Sequence, residues 1–335
     1  MKNDVYIIAE MSANHCGDIN LAKKIIKTAK DIGADAVKIQ TYTADTITID
    51  AKNEHFKING GLWDGYYLYD LYKEAYTPWE WQKELKEYAD EVGIDFFSSP
   101  FDKSAIDFLE SIGVCAYKIA SFEANDLELV KYAARLKKPM IISTGVISYD
   151  EILAVINACK SVGNDDITLL KCTSEYPAPI ENMNIITIKD MIEKFSPLGV
   201  KVGLSDHSMS IVPVVSAVAL GARVIEKHFT LDRALGGADC GFSLNVDEFG
   251  DMVKAVRDTT KVLGKVDYSV NEKARIDARS LFVCEDIKEG EVFNEKNIRS
   301  IRPGNGLDPN RINEVLGKKA KMDLKKGTPL KDEMF

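Results

Sequence analysis

Only four histidines occur among the 335 residues, and two of them, His207 and His228, close consecutive short apolar runs. Imidazoles at neighbouring strand ends suit a divalent ion such as manganese, zinc, iron or cobalt. With only two such nitrogens, the coordination sphere stays open to water or substrate. Period-two counting puts Ser205 on the face of His207, and Glu226 on the face of His228. Lys38 and Lys118 stand inside otherwise apolar runs, with Gln40 on the same strand face as Lys38. Serines Ser98, Ser99, Ser121, Ser143, Ser174 and Ser205 recur at the ends of such runs. Ammonium groups and hydroxyl donors in one cavity are what a phosphate or carboxylate needs. Glu10, with Asn14 and His15 behind it, ends the first run, Glu123 follows the fourth, and Lys171 to Tyr176 close the sixth. Asp239, in the glycine-rich stretch 236–241, either holds a water or substrate hydroxyl or is an ordinary turn aspartate. Taken singly, each of these is a cap, a rim lysine or a hydrogen-bonded histidine. Their collection at the ends of eight runs is what points to a site.

The elements that must position them alternate along the chain. Strands are predicted at Val5–Ala9, Ala36–Gln40, Asp95–Ser98, Tyr117–Ala120, Met140–Ser143, Thr168–Lys171, Val200–Leu204 and Val224–Lys227. Helical periodicity is predicted at Leu21–Ile32, Trp79–Val92, Ser104–Ile112, Leu127–Leu136, Glu151–Ser161, Ile185–Phe195, Ile211–Leu220 and Val246–Leu263. Eight strand–helix units match a (β/α)8 TIM barrel of roughly 250 residues, whose site lies at the C-terminal ends of the strands. A doubly wound open sheet is the competing α/β solution, but no dinucleotide or Walker fingerprint supports it. The expected division is a barrel over 1–264, a charged linker over 265–279, and a small, mostly β domain over 280–335. Between the second strand and its helix, an aromatic stretch from Leu62 to Trp81 suits either a sugar-facing lid or a subunit contact.

Composition narrows the partners. With 43 Lys+Arg against 52 Asp+Glu, the net charge of −9 disfavours nucleic acid. No signal-peptide pattern opens the chain, and the apolar run Ile211–Ile225 is too short and interrupted to span a bilayer. Six cysteines without a CxxC pair fit buried thiols in a reducing cytoplasm.

The runs IAEMSANH from Ile8, VKIQT from Val37, FSSPF from Phe97 and YKIASFE from Tyr117 resemble the sialic acid synthase family. So do ISTG from Ile142, KCTSEYP from Lys171, GLSDHS from Gly203 and EKHF from Glu226. The run SIRPGNG from Ser300 resembles that family's C-terminal antifreeze-like (SAF) domain. The resemblance implies condensation of phosphoenolpyruvate with an open-chain acylamino sugar, releasing phosphate and giving a nine-carbon α-keto acid. It implies that Lys38, Ser99, Lys118, Ser121, Ser143, Ser174 and Ser205 bind phosphoenolpyruvate, and that His207 and His228 hold a divalent cation, manganese first, magnesium or cobalt as alternatives. Gln40, Glu123, Tyr176 and Asp239 are implied as sugar contacts and Glu10 as the proton-transferring carboxylate. Arg302 is implied to reach a partner's barrel and its sugar in a domain-swapped homodimer. The loop GGLWDG from Gly60, TPWEW from Thr77 and SFEAND from Ser121 resemble the branch using a 2,4-diacetamido-2,4,6-trideoxy sugar of altrose configuration. Ser174 stands where sialic-forming members carry an amide, and Lys171 where they carry a histidine. The alternatives are a sibling synthase for another sugar stereoisomer, a metal-dependent pyruvate aldolase, and an ice- or glycan-binding module on an inert scaffold.

Overall fold

The computed structural model describes residues 4–335; residues 1–3 of the expected barrel lie outside the described residues. Eight parallel strands close into a barrel: β1 Tyr6–Glu10, β2 Ala36–Thr41, β3 Asp95–Pro100, β4 Tyr117–Ile119, β5 Met140–Ser143, β6 Ile167–Cys172, β7 Lys201–Asp206 and β8 Val224–His228. Closure is made by β1 against β8, in register from Tyr6↔Val224 to Glu10↔His228. Every strand falls within about two residues of its predicted place. The helices are α1 Ile19–Asp31, α2 Ala44–Ile47, α3 Leu68–Ala75, α4 Trp79–Val92, α5 Lys103–Ser111, α6 Leu127–Ala134, α7 Tyr149–Ser161, α8 Thr187–Phe195, α9 Val212–Ala219 and α10 Val246–Leu263.

The apolar spacing explains why these segments are helices. α1 buries Ala22, Ile25, Ile26 and Ala29 on one stripe, and α8 buries Ile188, Met191 and Phe195. Each large side chain so buried contributes about 1.5–3 kcal/mol. Starts are fixed by caps: Ser148 and Glu151 form a capping box on α7, Asn245 and Glu248 another on α10. At Gly203 a β-carbon would lie 2.2 Å from the Val224 carbonyl oxygen, so only glycine lets β7 approach β8 this closely. The aromatic stretch differs from a plain loop: its branch from β2 to α4 folds α2 and α3, tied by Tyr69 donating to Asp45.

Residues 265–335 form a second compact unit. Its core is Leu281, Val283, Ile287, Phe293, Ile298, Val315, Leu324 and Leu330. Regular strands are few. β9 Ser280–Val283 pairs antiparallel with β10 Ile298–Ile301, and isolated bridges such as Ile287↔Leu324 hold the rest. Helices α11 Glu272–Arg275 and α12 Ile312–Val315 complete it. The stretch read as a linker is thus partly structured: Asn271 caps α11, and Gly304 N–H donates to the Ile276 carbonyl.

Candidate active site

The register assembles a polar floor inside the barrel. Glu10 is the cross-strand partner of both Lys38 and His228, Ser99 faces Gln40, and Ser205 faces both Cys172 and Glu226. Lys38 Nζ donates to Ser99 Oγ at 3.1 Å and lies 2.6 Å from Glu10 Oε2, an ion contact without hydrogen-bond alignment. Gln40 Nε2 donates to the other oxygen of Glu10 at 3.0 Å. On the far side, Lys118 Nζ lies 3.6 Å from Glu226 Oε1, which also accepts from Ser205 Oγ at 3.1 Å. All of these side chains except Gln40 are buried.

Burial decides their charges. It pushes the Glu10 carboxyl up, against the pull of Lys38. Burial also opposes the charge on Lys38, but Glu10 and Glu226 outweigh it and hold the ammonium above its ordinary value. Lys118 is pushed down by burial. Glu226 is held down, because Lys118, Lys38 and His207 overcome its burial. Two lysines and two carboxylates therefore share the buried floor of an acidic protein, with the ammonium groups beside the hydroxyls as the donors an anion would meet.

Hydroxyls ring this floor. Ser121 Oγ accepts from Gly145 N–H at 3.0 Å, and Ser174 Oγ lies 3.7 Å from Cys172 Sγ. A β-carbon at Gly145 would sit 2.3 Å from Ser174 Oγ and 2.9 Å from Ser121 Oγ, so glycine here keeps open the gap between two hydroxyls. Ser143 Oγ, Glu226 Oε2, Glu123 Oε2 and His228 Nδ1 are buried without a hydrogen-bond partner. Orphaned polar atoms concentrated in one place mark a cavity built for a ligand.

A cavity of about 490 Å³ opens above, lined by Gln40, Glu123, Ser174, Tyr176, His228 and Asp239 on its polar side. Tyr42, Trp63, Tyr72, Phe101, Phe122 and Phe242 supply its apolar wall. Burial raises the Glu123 carboxyl to about 7. Asp239 accepts from Ser12 Oγ and, at 3.5 Å, from Ala13 N–H, and its side chain makes no local capping bond. Asp239 therefore ties its own loop to the residues after β1 while bordering the cavity. Trp63 closes over this wall, donating from Nε1 to the Ala238 carbonyl at 3.2 Å and packing on Tyr176 and Phe242.

His207 and His228 meet at 5.4 Å between ring centroids, with Tyr176 4.4 Å from His207. The Thr173 carbonyl, 2.9 Å from His207 Nδ1, can only accept, so Nδ1 carries a proton and Nε2 is the nitrogen available to a metal ion. Burial and nearby cations keep His228 well below its ordinary value, hence neutral. Burial works against protonation of His207 too, but the Cys172 sulfur 3.8 Å away raises it, while Cys172 is itself lowered to about 7 by His207 against its burial. Two imidazoles, one with a fixed tautomer and one with an orphaned nitrogen, fit a divalent ion with an open sphere. Among the described residues no group of three or more His, Cys, Asp or Glu is placed to hold a metal ion, so water or substrate oxygens would complete the sphere.

Several residues at the strand ends do other work. Asn14 donates to the Phe229 carbonyl and to Ser243 Oγ, clasping the β1 and β8 loops. His15 accepts from Gly17 N–H and meets Thr77 Oγ1 at 3.2 Å, away from the floor. Lys171 bonds Thr173 and borders Thr187 and Asp190 in the helical layer, because on β6 it is Cys172 that points inward. Arg302 lies exposed on the second unit. The apolar wall of Tyr42, Phe101, Phe122 and Phe242 was not singled out in the sequence. Its signal was available in FSSPF, SFE and CGF, where an aromatic follows or sits among the strand-end polar residues.

A "NeuB family" model matches residues 25–268, and a SAF domain model matches residues 278–335. The chain is 50% identical over 334 residues to a pseudaminic acid synthase of Campylobacter jejuni (strain 81-176), covering 99% of this chain and 96% of that one. A pseudaminic acid synthase of Helicobacter pylori is 46% identical, over 97% of this chain and 96% of its own. Among solved structures, an N-acetylneuraminic acid synthetase of Leptospira borgpetersenii in complex with citrate superposes with a TM-score of 0.72 at 32% identity, covering 82% of this chain and 90% of that one. With a closed eight-stranded barrel, a lysine-lined floor and these matches in hand, the chain belongs to the NeuB family and carries a C-terminal SAF domain.

Proposed function

We propose that this protein is a transferase that condenses phosphoenolpyruvate with 2,4-diacetamido-2,4,6-trideoxy-L-altrose, giving pseudaminic acid and phosphate. The observation that carries this is the buried pair Lys38 and Lys118, set among serine hydroxyls and opening into a cavity with one polar and one aromatic side. The half-identity to pseudaminic acid synthases supports the sugar.

In this account Lys38, Lys118 and the hydroxyls of Ser99, Ser121, Ser143, Ser174 and Ser205 bind the phosphate and carboxylate of phosphoenolpyruvate. Gln40, Glu123, Tyr176 and Asp239 orient the open-chain sugar, with its acetamido methyl groups and deoxy carbon against the aromatic wall. His207 and His228 would hold a divalent ion, manganese in our reading, which supplies Lewis-acid polarisation of the sugar aldehyde when bound. Carbon 3 of phosphoenolpyruvate bonds to the aldehyde carbon, leaving cationic character at carbon 2. Water adds there as the Glu10 carboxylate, held beside Lys38 and Gln40, takes its proton. The proton taken from water passes to the alkoxide left on the former aldehyde oxygen. The carbon 2 hydroxyl then gives its proton to the phosphate as the C–O bond breaks, leaving the keto group, and the lysines stabilise the departing charge.

Arg302 would join the sugar site of a partner subunit in a domain-swapped homodimer. The exposed apolar side chains Val266, Tyr268, Val270 and Ile276 of the second unit support such a covering. No described helix is long and apolar enough to cross a membrane. Phosphoenolpyruvate is a cytoplasmic metabolite, so we place the protein there.

The test is phosphate release with product mass, using purified protein, Mn2+ and phosphoenolpyruvate with the altrose sugar, N-acetylmannosamine or the diacetamido mannose analogue. Release with the altrose sugar, abolished by chelation, is expected. Release only with a rival moves the assignment to a sibling synthase, and none with any sugar refutes it.

A further inference from the structure

Behind the two imidazoles, on the opposite face of the same strands, lies an ion pair that the chemistry above does not use. Asp206 and Lys227 are cross-strand partners on β7 and β8, one residue before His207 and His228 respectively. Lys227 Nζ lies 2.5 Å from Asp206 Oδ2 and 2.5 Å from the Ser208 carbonyl oxygen. Asp206 Oδ1 accepts from Ser208 N–H at 2.8 Å. The two side chains are 0% and 1% exposed, the most deeply buried ion pair among the described residues. The alternation that turns Ser205, His207, Glu226 and His228 inward turns Asp206 and Lys227 outward into the helical layer.

A buried pair of this kind is a poor device for stability. Desolvating two charges costs several kcal/mol each, and a well-packed apolar pair of similar volume is often as stable or more so. What a salt bridge has and an apolar contact lacks is direction. Here the carboxylate and ammonium close a ring of hydrogen bonds around the backbone on both sides of His207, and pin it to the residue before His228. The His207 carbonyl is held as well, by Ala178 N–H at 3.0 Å, and its ring by Thr173. An ion held by only two imidazoles depends on their separation, because among the described residues no third protein ligand is placed to compensate.

We propose that Asp206 and Lys227 are a positioning pair that fixes the separation and orientation of His207 and His228, and thereby the affinity for the divalent ion. This rests on the reading that those two histidines hold the ion. The pair touches no substrate and acts only through its neighbours, as outer-shell partners of metal ligands do.

The test separates positioning from folding. In the full-length protein, Asp206→Leu with Lys227→Met replaces the pair by apolar side chains, and free-Mn2+ electron paramagnetic resonance gives the affinity while thermal unfolding gives the fold. The double variant is expected to unfold near the wild-type temperature yet bind Mn2+ about 10–100-fold more weakly. A folded double variant with wild-type Mn2+ affinity would overturn the proposal. Should the double variant not fold, Asp206→Asn keeps the shape and the bond from Ser208; it is expected to bind about 10-fold more weakly, and unchanged affinity would again overturn it. His207→Ala serves as the reference. If it binds Mn2+ like wild type, the two-histidine reading fails, and the positioning role fails with it.

Discussion

Glu123 offers a quantitative check on the cavity's electrostatics. Its carboxyl is moved from an ordinary 4.5 to about 7, chiefly by burial, with Lys118 pulling the other way. A displacement of that size is worth about 3 kcal/mol between the two protonation states. Between pH 4.5 and 7 the unfolded chain has lost this proton while the folded chain keeps it, so raising the pH favours unfolding. The stabilising preference is complete below 4.5, fades as pH rises through 7, and is gone above it. Glu123→Gln, an isostere of the protonated form, removes the dependence. Thermal unfolding of both proteins from about pH 4 to 8.5 is therefore expected to give curves that converge at the acid end and diverge upward. Near pH 8 the variant should melt higher by about 3 kcal/mol of stability, roughly 4–6 °C for a barrel of this size. The difference between the two proteins cancels every other group that titrates in this range. A pH-independent gap, or a wild type more stable than the variant at pH 8, would refute the burial of an ionisable Glu123.

Three further outcomes follow from the same geometry. Gly145→Ala pushes a methyl group onto the Ser174 hydroxyl; it should raise the KM for phosphoenolpyruvate about 10-fold or more, as for one lost bond to a charged ligand, with the melting temperature nearly unchanged. Lys38→Met leaves Glu10 buried without its cation and should cost about 3–5 kcal/mol in urea unfolding, whereas Lys38→Met with Glu10→Gln recovers most of it without recovering activity. Trp63→Ala removes the bond to Ala238 and the edge contacts to Tyr176 and Phe242, so steady-state kinetics should show a raised KM for the sugar and an unchanged KM for phosphoenolpyruvate.

The barrel is legible in the sequence because each strand is a short apolar run bounded by a helix with its own apolar stripe, as β5 and α7 illustrate. The floor is legible for a related reason: a lysine inside an apolar strand, as at Lys38, has few places to point except the interior or the helical layer. Period-two counting distinguishes the two when an anchor is known. It links Ser205 to Glu226 through His207 and His228, and the two side chains do hydrogen-bond. The same counting from Cys172 would have turned Lys171 outward, and from the histidines would have exposed the Asp206–Lys227 pair. What counting cannot supply is contact across loops. Asn14 clasping Phe229 and Ser243, His15 meeting Thr77, and Ser12 donating to Asp239 join residues far apart in sequence through backbone turns that have no period. The small unit is less legible still, since isolated bridges rather than long strands hold its core.

The central claim, that phosphoenolpyruvate is cleaved at its C–O bond on the Lys38–Lys118 floor, is most directly tested with phosphoenolpyruvate carrying oxygen-18 at the bridging position. With the altrose sugar and Mn2+ supplied, the account predicts that the label leaves with the inorganic phosphate and that the nine-carbon product is unlabelled. Label retained in the product would mean that the P–O bond breaks instead, and would contradict it.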